Sequence, residues 1–427
     1  MLKSLNFKFF VCMILSFLFI CSMGLSEKRK LVIWHAYAGQ DSKVALARKW
    51  IDSFKEANPD IEIEEVALEH SSYKIKLNTA MAAGNPPDVF YALPGGTLDE
   101  FVNSGLIYPL TKDLNENNWK NDFLESALDR VTVNEDIYAV PIDIDTVQIW
   151  YNKKIFEKYN LKTPKTLEEL FTVCDFLKSK GIIPISLGNK DFWAGPFWFH
   201  YFMLRFDKSG IIQGYLRNDP NYSFNTEEAI NSFKLIQDMV KRNYFPMGIN
   251  SMTETESDML FFNGMAAMTM DGTWQLGQNL AAGKDFECGY FEFPKIANSK
   301  GDQSDVIAGV AACFAISNKC QNKDDAILFL KHITSLDMAK EYVKLRKTLE
   351  CVKGAVTEET ADPLLYLVNK NTIEKANNLD PFYDTAMPPK AMQVYYDTIQ
   401  SIYDLSIKPE EAVKKIDKAI KDSVNRN

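Results

Sequence analysis

The sequence is poor in the residues that most enzymatic chemistry and most cross-links require. Only four histidines occur in 427 residues (His35, His70, His200, His332), and no two have metal-ligand spacing. There is no Gly-x-Gly-x-x-Gly, no nucleotide P-loop, no Gly-x-Ser-x-Gly and no His-x-x-Glu pattern, so the common cofactor and nucleophile signatures are missing. The seven cysteines contain no Cys-x-x-Cys. Loss of a leader would leave five (Cys174, Cys288, Cys313, Cys320, Cys351), an odd number. That argues against a disulfide framework and leaves at most one bridge in an oxidising compartment. Small buried hydrophobes are the simpler role. Low-complexity tracts and Pro/Ser-rich linkers are absent too, which argues against disorder. Positive charge is in deficit: 48 Lys and Arg stand against 57 Asp and Glu, a net charge of −9. A nucleic-acid partner needs the opposite balance.

What is present describes a globular chain. Hydrophobic residues make up 46% and charged residues 25%, and 427 residues exceed one typical core, so two domains are expected. The N-terminus differs from the rest. Lys3 and Lys8 precede an uncharged stretch over residues 9–26 whose apolar core covers 9–20. That core is shorter than the ~20 residues a membrane span requires, and it reads as a secretory signal over residues 1–24. Ser22-Met23-Gly24 offers an ordinary cleavage site. Leu18-Phe19-Ile20-Cys21 is a competing lipid-attachment site at Cys21, with Ile20 where a small residue is usual. Either cut removes Lys3 and Lys8 and takes the charge from −9 to −11.

Strand and helix signals alternate along the mature chain. Lys30-Leu31-Val32-Ile33-Trp34 is an apolar run ending in a loop, followed by a helical face of Val44, Ala47, Trp50, Ile51 and Phe54. Asn58-Pro59-Asp60 stops that helix, and Ile61-Glu62-Ile63-Glu64 alternates as a strand. Tyr73, Leu77, Ala80 and Met81 stripe a second helix, and Pro87-Asp88-Val89-Phe90-Tyr91 is a third strand. The alternation predicts α/β layers with a parallel sheet covered on both faces. Residues 138–153 form a long extended stretch carrying Asp143 and Asp145. Thr166-Leu167-Glu168-Glu169 reads as a capping box. Residues 266–270 read as a buried strand that ends at Asp271-Gly272-Thr273-Trp274, and residues 306–317 form a second long extended stretch.

The order of these segments resembles the extracellular solute-binding proteins of ATP-driven sugar importers, the maltose-binding-protein type. The residues carrying the resemblance are KLVIW, NPDIEIEEV, AAGNPPDVFYA, SGLIYPL, YAVPIDIDTVQIWYNKKIF, PKTLEEL, FFNGMAAMTMDGTW and FPKI, spread over residues 30–420. The likeness implies a two-domain periplasmic-binding-protein-like fold of type II with a ligand in the interdomain cleft. The expected lobes are 25–143 with 310–355, and 144–309 with 356–427. Crossing strands are expected near 141–148 and 306–312, with a third crossing near 354–357. The likeness further implies no cofactor and no catalysis. It implies a carbohydrate ligand, a pair of membrane permease subunits as partners, a monomer, and a place in the periplasm or on the outer face of the cytoplasmic membrane.

Sugar rings offer apolar C–H faces and a rim of hydroxyls, so a site needs aromatic faces and planar polar groups. Trp274, after Gly272-Thr273 at a strand end, matches the family's sugar platform, because ligands in open α/β sheets sit outside the carboxyl ends of strands. Trp193, in Asp191-Phe192-Trp193-Ala194-Gly195-Pro196-Phe197-Trp198, is a second candidate; Trp198 competes with a role in a helix core. Tyr37 and Gln40 lie in the first strand-to-helix loop, where the family places polar contacts. The neighbouring His35 is read as structural. Tyr91 precedes Pro94-Gly95-Gly96-Thr97, whose glycines either make a turn or bring amides to a hydroxyl. Asp143 and Asp145 share one strand face, so one can accept sugar hydroxyls while the other serves the hinge, and Asp143 is preferred. Tyr395 lies on a late helix, also in a core stripe. Three rivals remain open. The two aspartates could be a glycosidase pair, the cleft could hold a polyamine, or the protein could report its solute to a sensor. A phosphate binder is disfavoured, since the cleft loops offer Lys190 and little other positive charge.

Overall fold

A computed structural model describes residues 28–39, 41–217, 219–278 and 286–424. Cys21, both cleavage sites and Gln40 lie outside the described residues. Twelve strands occur among the described residues: β1 (Arg29–His35), β2 (Ile61–Ala67), β3 (Val89–Ala92), β4 (Thr132–Val133), β5 (Asp136–Ile137), β6 (Ala139–Asn152), β7 (Ile183–Ser186), β8 (Ala266–Gly272), β9 (Cys288–Phe291), β10 (Val306–Ile316), β11 (Leu349–Glu350) and β12 (Leu379–Asp380). β4 and β5 form a separate hairpin. β2 faces the core on one side only, with Ile61 and Ile63 buried and Glu62 and Glu64 exposed. β6 is buried on both faces, and at 14 residues it reaches roughly 46 Å, enough to serve two sheets.

The main sheet runs β2-β1-β3-β10-β6-β8-β7. The pairs β1–β2, β1–β3 and β7–β8 are parallel, as strands joined through helices must be. The two long strands break that pattern. β10 is antiparallel to both β3 and β6, and β6 is antiparallel to β8 and β9. The sheet is therefore mixed. The upper part of β10 joins the β1–β3 side, while residues 147–152 of β6 pair with β8 and β9 on the other. Between these, Ala308 and Gly309 pair with Thr146 and Asp145. The ladder shifts register on either side of Ala312, a bulge where the two strands pass from one half to the other.

Two hydrophobic clusters flank this junction. The first includes Leu31, Phe54, Phe90, Phe314, Leu330 and Leu365. The second includes Ile149, Trp198, Phe233, Met268, Tyr395 and Ile416. Ala355, Leu365 and Val368 pack in the first cluster and Leu379 packs against it, while Phe382 is the next residue of the second; β12 pairs with Val306 and Ile307. Gly354 (φ +78°) makes a turn within the first half. The capping box at Thr166 is half made. Thr166 Oγ1 accepts the Glu169 N–H at 3.2 Å, but the Glu169 carboxylate takes the Lys165 N–H instead of the cap's own. A complete box forms at Thr253 and Glu256, at the start of the helix Glu254–Phe262.

Two expected site residues belong to the core. Trp198 is fully buried in the helix Pro196–Phe206, with ring centroids 5.6 Å from Phe245, 5.9 Å from Phe293 and 6.1 Å from Phe202. Every residue from Pro196 to Arg205 in that helix is buried, so aromatic density there signals a central helix. Tyr395 is also fully buried and packs on Phe199 at 6.1 Å, in the stripe with Ala391 and Ile399. Trp198→Ala should therefore cost about 3–5 kcal/mol of folding stability, measured by urea unfolding. Equal unfolding midpoints for variant and wild type would contradict this placement.

Candidate functional site

A cavity of about 230 Å³ lies between the two halves of the sheet, over the crossing strands. Its floor is β6 with Ala311 of β10. Strand alternation puts Asp143 and Asp145 on one face, and both line the cavity. Each is held from a different side. The Tyr342 hydroxyl donates to Asp143 Oδ2, and the Thr273 hydroxyl donates to Asp145 Oδ1. Asp143 Oδ1 is buried and has no hydrogen-bond partner in the protein. Burial raises both carboxyls above the usual range, Asp145 well above it, where the Asp143 charge adds to the effect. Tyr342 and the Arg346 guanidinium oppose the rise at Asp143.

One wall is aromatic. Trp193 and Trp274 are half-buried and meet edge to face, with centroids 5.8 Å apart and planes at 72°. Phe197 and Phe382 support Trp274 at 6.3 and 6.1 Å. Gly272 is what lets this ring lie where it does. A Cβ on Gly272 would sit 2.2 Å from the Trp274 ring, so the indole folds back over bare backbone. The opposite wall carries Tyr37 and Tyr91, 5.8 Å apart and edge to face. The Tyr37 hydroxyl is buried, and burial raises its pKa well above normal, with the Asp143 charge adding to the rise. His35 stays structural, 3.1 Å from Glu65 through Nε2 and accepting the Tyr37 N–H at Nδ1.

The Pro94-Gly95-Gly96 turn settles between its two readings. Gly95 has φ +98°, and Cβ atoms at Gly95 and Gly96 would lie 2.4 and 2.0 Å from the carbonyl oxygens of Thr385 and Met387. The glycines let the backbone of one half touch the backbone of the other, beside the cavity.

Several cavity residues escaped the sequence reading. Lys43, His70 and Ser71 come from the first turns of the helices Asp41–Ala57 and His70–Ala82, with Lys74 one turn beyond His70; Glu254 and Thr255 open the helix Glu254–Phe262. Asp384 and Thr385 come from the helix Tyr383–Ala386, and Arg346 ends the helix Leu336–Arg346. The usable signal was positional, since the first turn of a helix that follows a strand points into the cleft. Positive charge is therefore present, contrary to the expectation built on Lys190, which is exposed and outside the cavity. Burial lowers Lys43 to about 8 and also lowers Lys74.

Two α/β halves sharing crossing strands, with a mixed aromatic and polar cavity at the junction, define a two-lobed solute-binding protein. The chain belongs to the family of bacterial extracellular solute-binding proteins, whose model matches residues 34–340. It is 27% identical over 328 residues to the multiple sugar-binding protein of Streptococcus mutans, covering 75% of each chain. It is 23% identical to the melibiose/raffinose/stachyose-binding protein MelE of Bacillus subtilis, covering 97% of this chain and 96% of that one. A solved structure from work on xylan utilization by Caldanaerobius polysaccharolyticus superposes with a TM-score of 0.84 at 28% identity, over 92% of this chain and 100% of that one. The family expected from segment order is thus the one found, and the relatives named are binding proteins rather than enzymes.

The raised carboxyl at Asp145 gives a pH prediction. In the folded chain it keeps its proton above the ~3.9 of an unfolded aspartate, so the folded state binds more protons in that window. Stability contributed by this group is present at low pH and is lost as pH rises through the folded pKa. Asp145→Asn should raise the melting temperature over wild type more at pH 8 than at pH 5. An equal increment at both pH values would refute the assignment.

Proposed function

We propose that the protein captures a neutral saccharide, a short oligosaccharide, between its lobes outside the cytoplasmic membrane and delivers it to the permease of an ATP-driven importer. The lobes in this reading are residues 28–144 with 310–368, and 147–307 with 379–424. The observation that carries the reading is the cavity itself. Trp193 and Trp274 offer faces for sugar C–H surfaces, and the Asp143 carboxyl, lining the same cavity, offers an acceptor for hydroxyls. The charges sort the rivals. A polyamine would meet Lys43, Lys74 and Arg346, and a phosphate ester would meet Asp143, Asp145, Asp191, Glu254 and Asp384. A polyhydroxylated ligand without net charge uses both sets as hydrogen-bond partners. The volume of about 230 Å³ lies under the ~300–1,000 Å³ of typical ligand pockets, which favours a short chain. The names of the relatives agree: multiple sugar-binding and melibiose/raffinose/stachyose-binding.

Secretion by the leader, with or without lipid at Cys21, action as a monomer, and absence of catalysis complete the proposal. The family is extracellular, and no helix among the described residues is long and apolar enough to cross a membrane. A thermal-shift screen of neutral oligosaccharides, polyamines and phosphate esters tests it. A ligand at 100 times its Kd should add about 2.7 kcal/mol of stability. Trp274→Ala should weaken the responding saccharide by at least about 30-fold, the effect of losing an aromatic anchor worth ~2 kcal/mol. A response to polyamines alone would overturn the saccharide class, and turnover of the saccharide would overturn the binding role.

A further inference from the structure

Trp193 reaches the cavity from a loop over residues 189–195, and one face of a late helix grips that loop. Tyr396, Gln400 and Tyr403 stand at i, i+4 and i+7 on the helix Pro389–Tyr403, so they share a face. Each holds a different point of the loop. The Gln400 side-chain amide donates to the Asn189 carbonyl at 3.0 Å, and the Tyr403 hydroxyl donates to the Gly195 carbonyl at 2.9 Å. Between them the Phe192 ring stacks on the Tyr396 ring, with centroids 5.6 Å apart and planes at 29°. The loop also closes on itself: Asn189 Oδ1 accepts the Gly195 N–H at 3.1 Å, and the Asn189 carbonyl accepts the Phe192 N–H at 3.3 Å.

The middle grip carries strain. Phe192 has φ +73°, a left-handed backbone that a bulky side chain rarely adopts. Glycine, asparagine or aspartate is the usual choice for such a turn. A strained conformation is costly and persists only where the surroundings over-determine it. The stack on Tyr396 does so here, and the residue that follows the strained turn is Trp193 of the cavity wall. We propose that Phe192 is a positioning residue for the ligand site: its ring, held by Tyr396, keeps the turn that sets Trp193 into the cavity and against Trp274.

The inference rests on the reading of Trp193 as a sugar face given above, although its first test needs no sugar. Core filling does not account for the arrangement, because Phe192 and Trp193 are both only half-buried. The anchor is itself fastened at the site. The Tyr396 hydroxyl donates to Asp384 Oδ2 at 2.7 Å, and Asp384 lines the same cavity. The neighbouring Tyr395 packs on Phe199 instead. Two adjacent tyrosines thus divide the work of one helix, the first packing the lobe and the second holding an aromatic and an acidic member of the site.

The test starts from the whole protein with no sugar added. Trp193 and Trp274, edge to face at 5.8 Å, should give an exciton couplet in the circular dichroism spectrum, because coupling between two indoles depends on their mutual orientation. Subtracting the spectrum of Trp193→Phe isolates it. Phe192→Ala should lose the couplet, and Phe192→Tyr, which keeps the ring, should retain it. In the Trp193→Phe background Phe192→Ala should change nothing further, since two steps on one path are not additive. If Phe192→Ala does not fold, Gln400→Ala, which releases only the Asn189 carbonyl, decides and should shrink the couplet. Absence of a couplet in the wild type would overturn the proposal, as would an unchanged couplet in the deciding variant. Titration with maltotriose, raffinose and xylotriose then separates this result from the saccharide reading. A sugar that binds should bind Phe192→Ala roughly tenfold more weakly, and Phe192→Tyr within about twofold of wild type. Loss of the couplet with that affinity unchanged would overturn the role at the site. Loss of the couplet with none of the three sugars bound would uphold the positioning of Trp193 and count against the saccharide reading instead.

Discussion

Everything in this molecule hangs on the antiparallel ladder between β6 and β10. These two strands are the seam through which both hydrophobic clusters are joined, because each strand spends one end in each sheet. Their pairing continues across the junction, interrupted only by the register shifts around Ala312. Bending between the lobes must be absorbed there, since the sheets on either side are locked by their own helices. The same junction carries Asp143 and Asp145, each tethered to a different half through Tyr342 and Thr273. The groups that would sense a ligand are thus fastened to the groups that would move.

The cavity above the ladder brings acids from both halves together with bases from the first. The first half supplies Lys43, Lys74 and Arg346 together with Glu69 and Asp143, and the second supplies Asp191, Glu254 and Asp384. In a water-poor space such groups attract across a gap more strongly than they would on the surface. A neutral ligand with many hydroxyls can use both the acids and the bases as hydrogen-bond partners without cancelling either. The aromatic wall then supplies dispersion and desolvation where charge is of no use.

How far the sequence could be read depended on whether a residue's neighbours in sequence were also its neighbours in space. Asp143 and Asp145 stood out because two acids interrupt a long apolar strand, and Trp274 because Gly272 precedes it at a strand end. Both signals are local and the structure keeps these residues at the cavity. Trp198 and Tyr395 were ambiguous for the same reason: an aromatic on a helix carries no local mark that separates core from cleft, and both belong to the core. Phe382, Asp384 and Arg346 reach the cavity only because the chain returns late to meet β10 and the first lobe, which no local pattern encodes. Gly354, which reads as a boundary, makes a turn beside Ala355, which packs in the first cluster. The parallel sheet became a mixed one because the long strands obey the junction rather than the α/β repeat around them.

The glycines at 95 and 96 have a mechanical meaning. Where they meet Thr385 and Met387 there is main chain on both sides and no side chain to yield. Such a contact works like a doorstop: it fixes how far the halves can swing together whatever lies between them. Ligands of different outline would then be enclosed in one and the same outer shape. A transporter reading that shape would register a yes or a no, and the identity of the cargo would matter only inside.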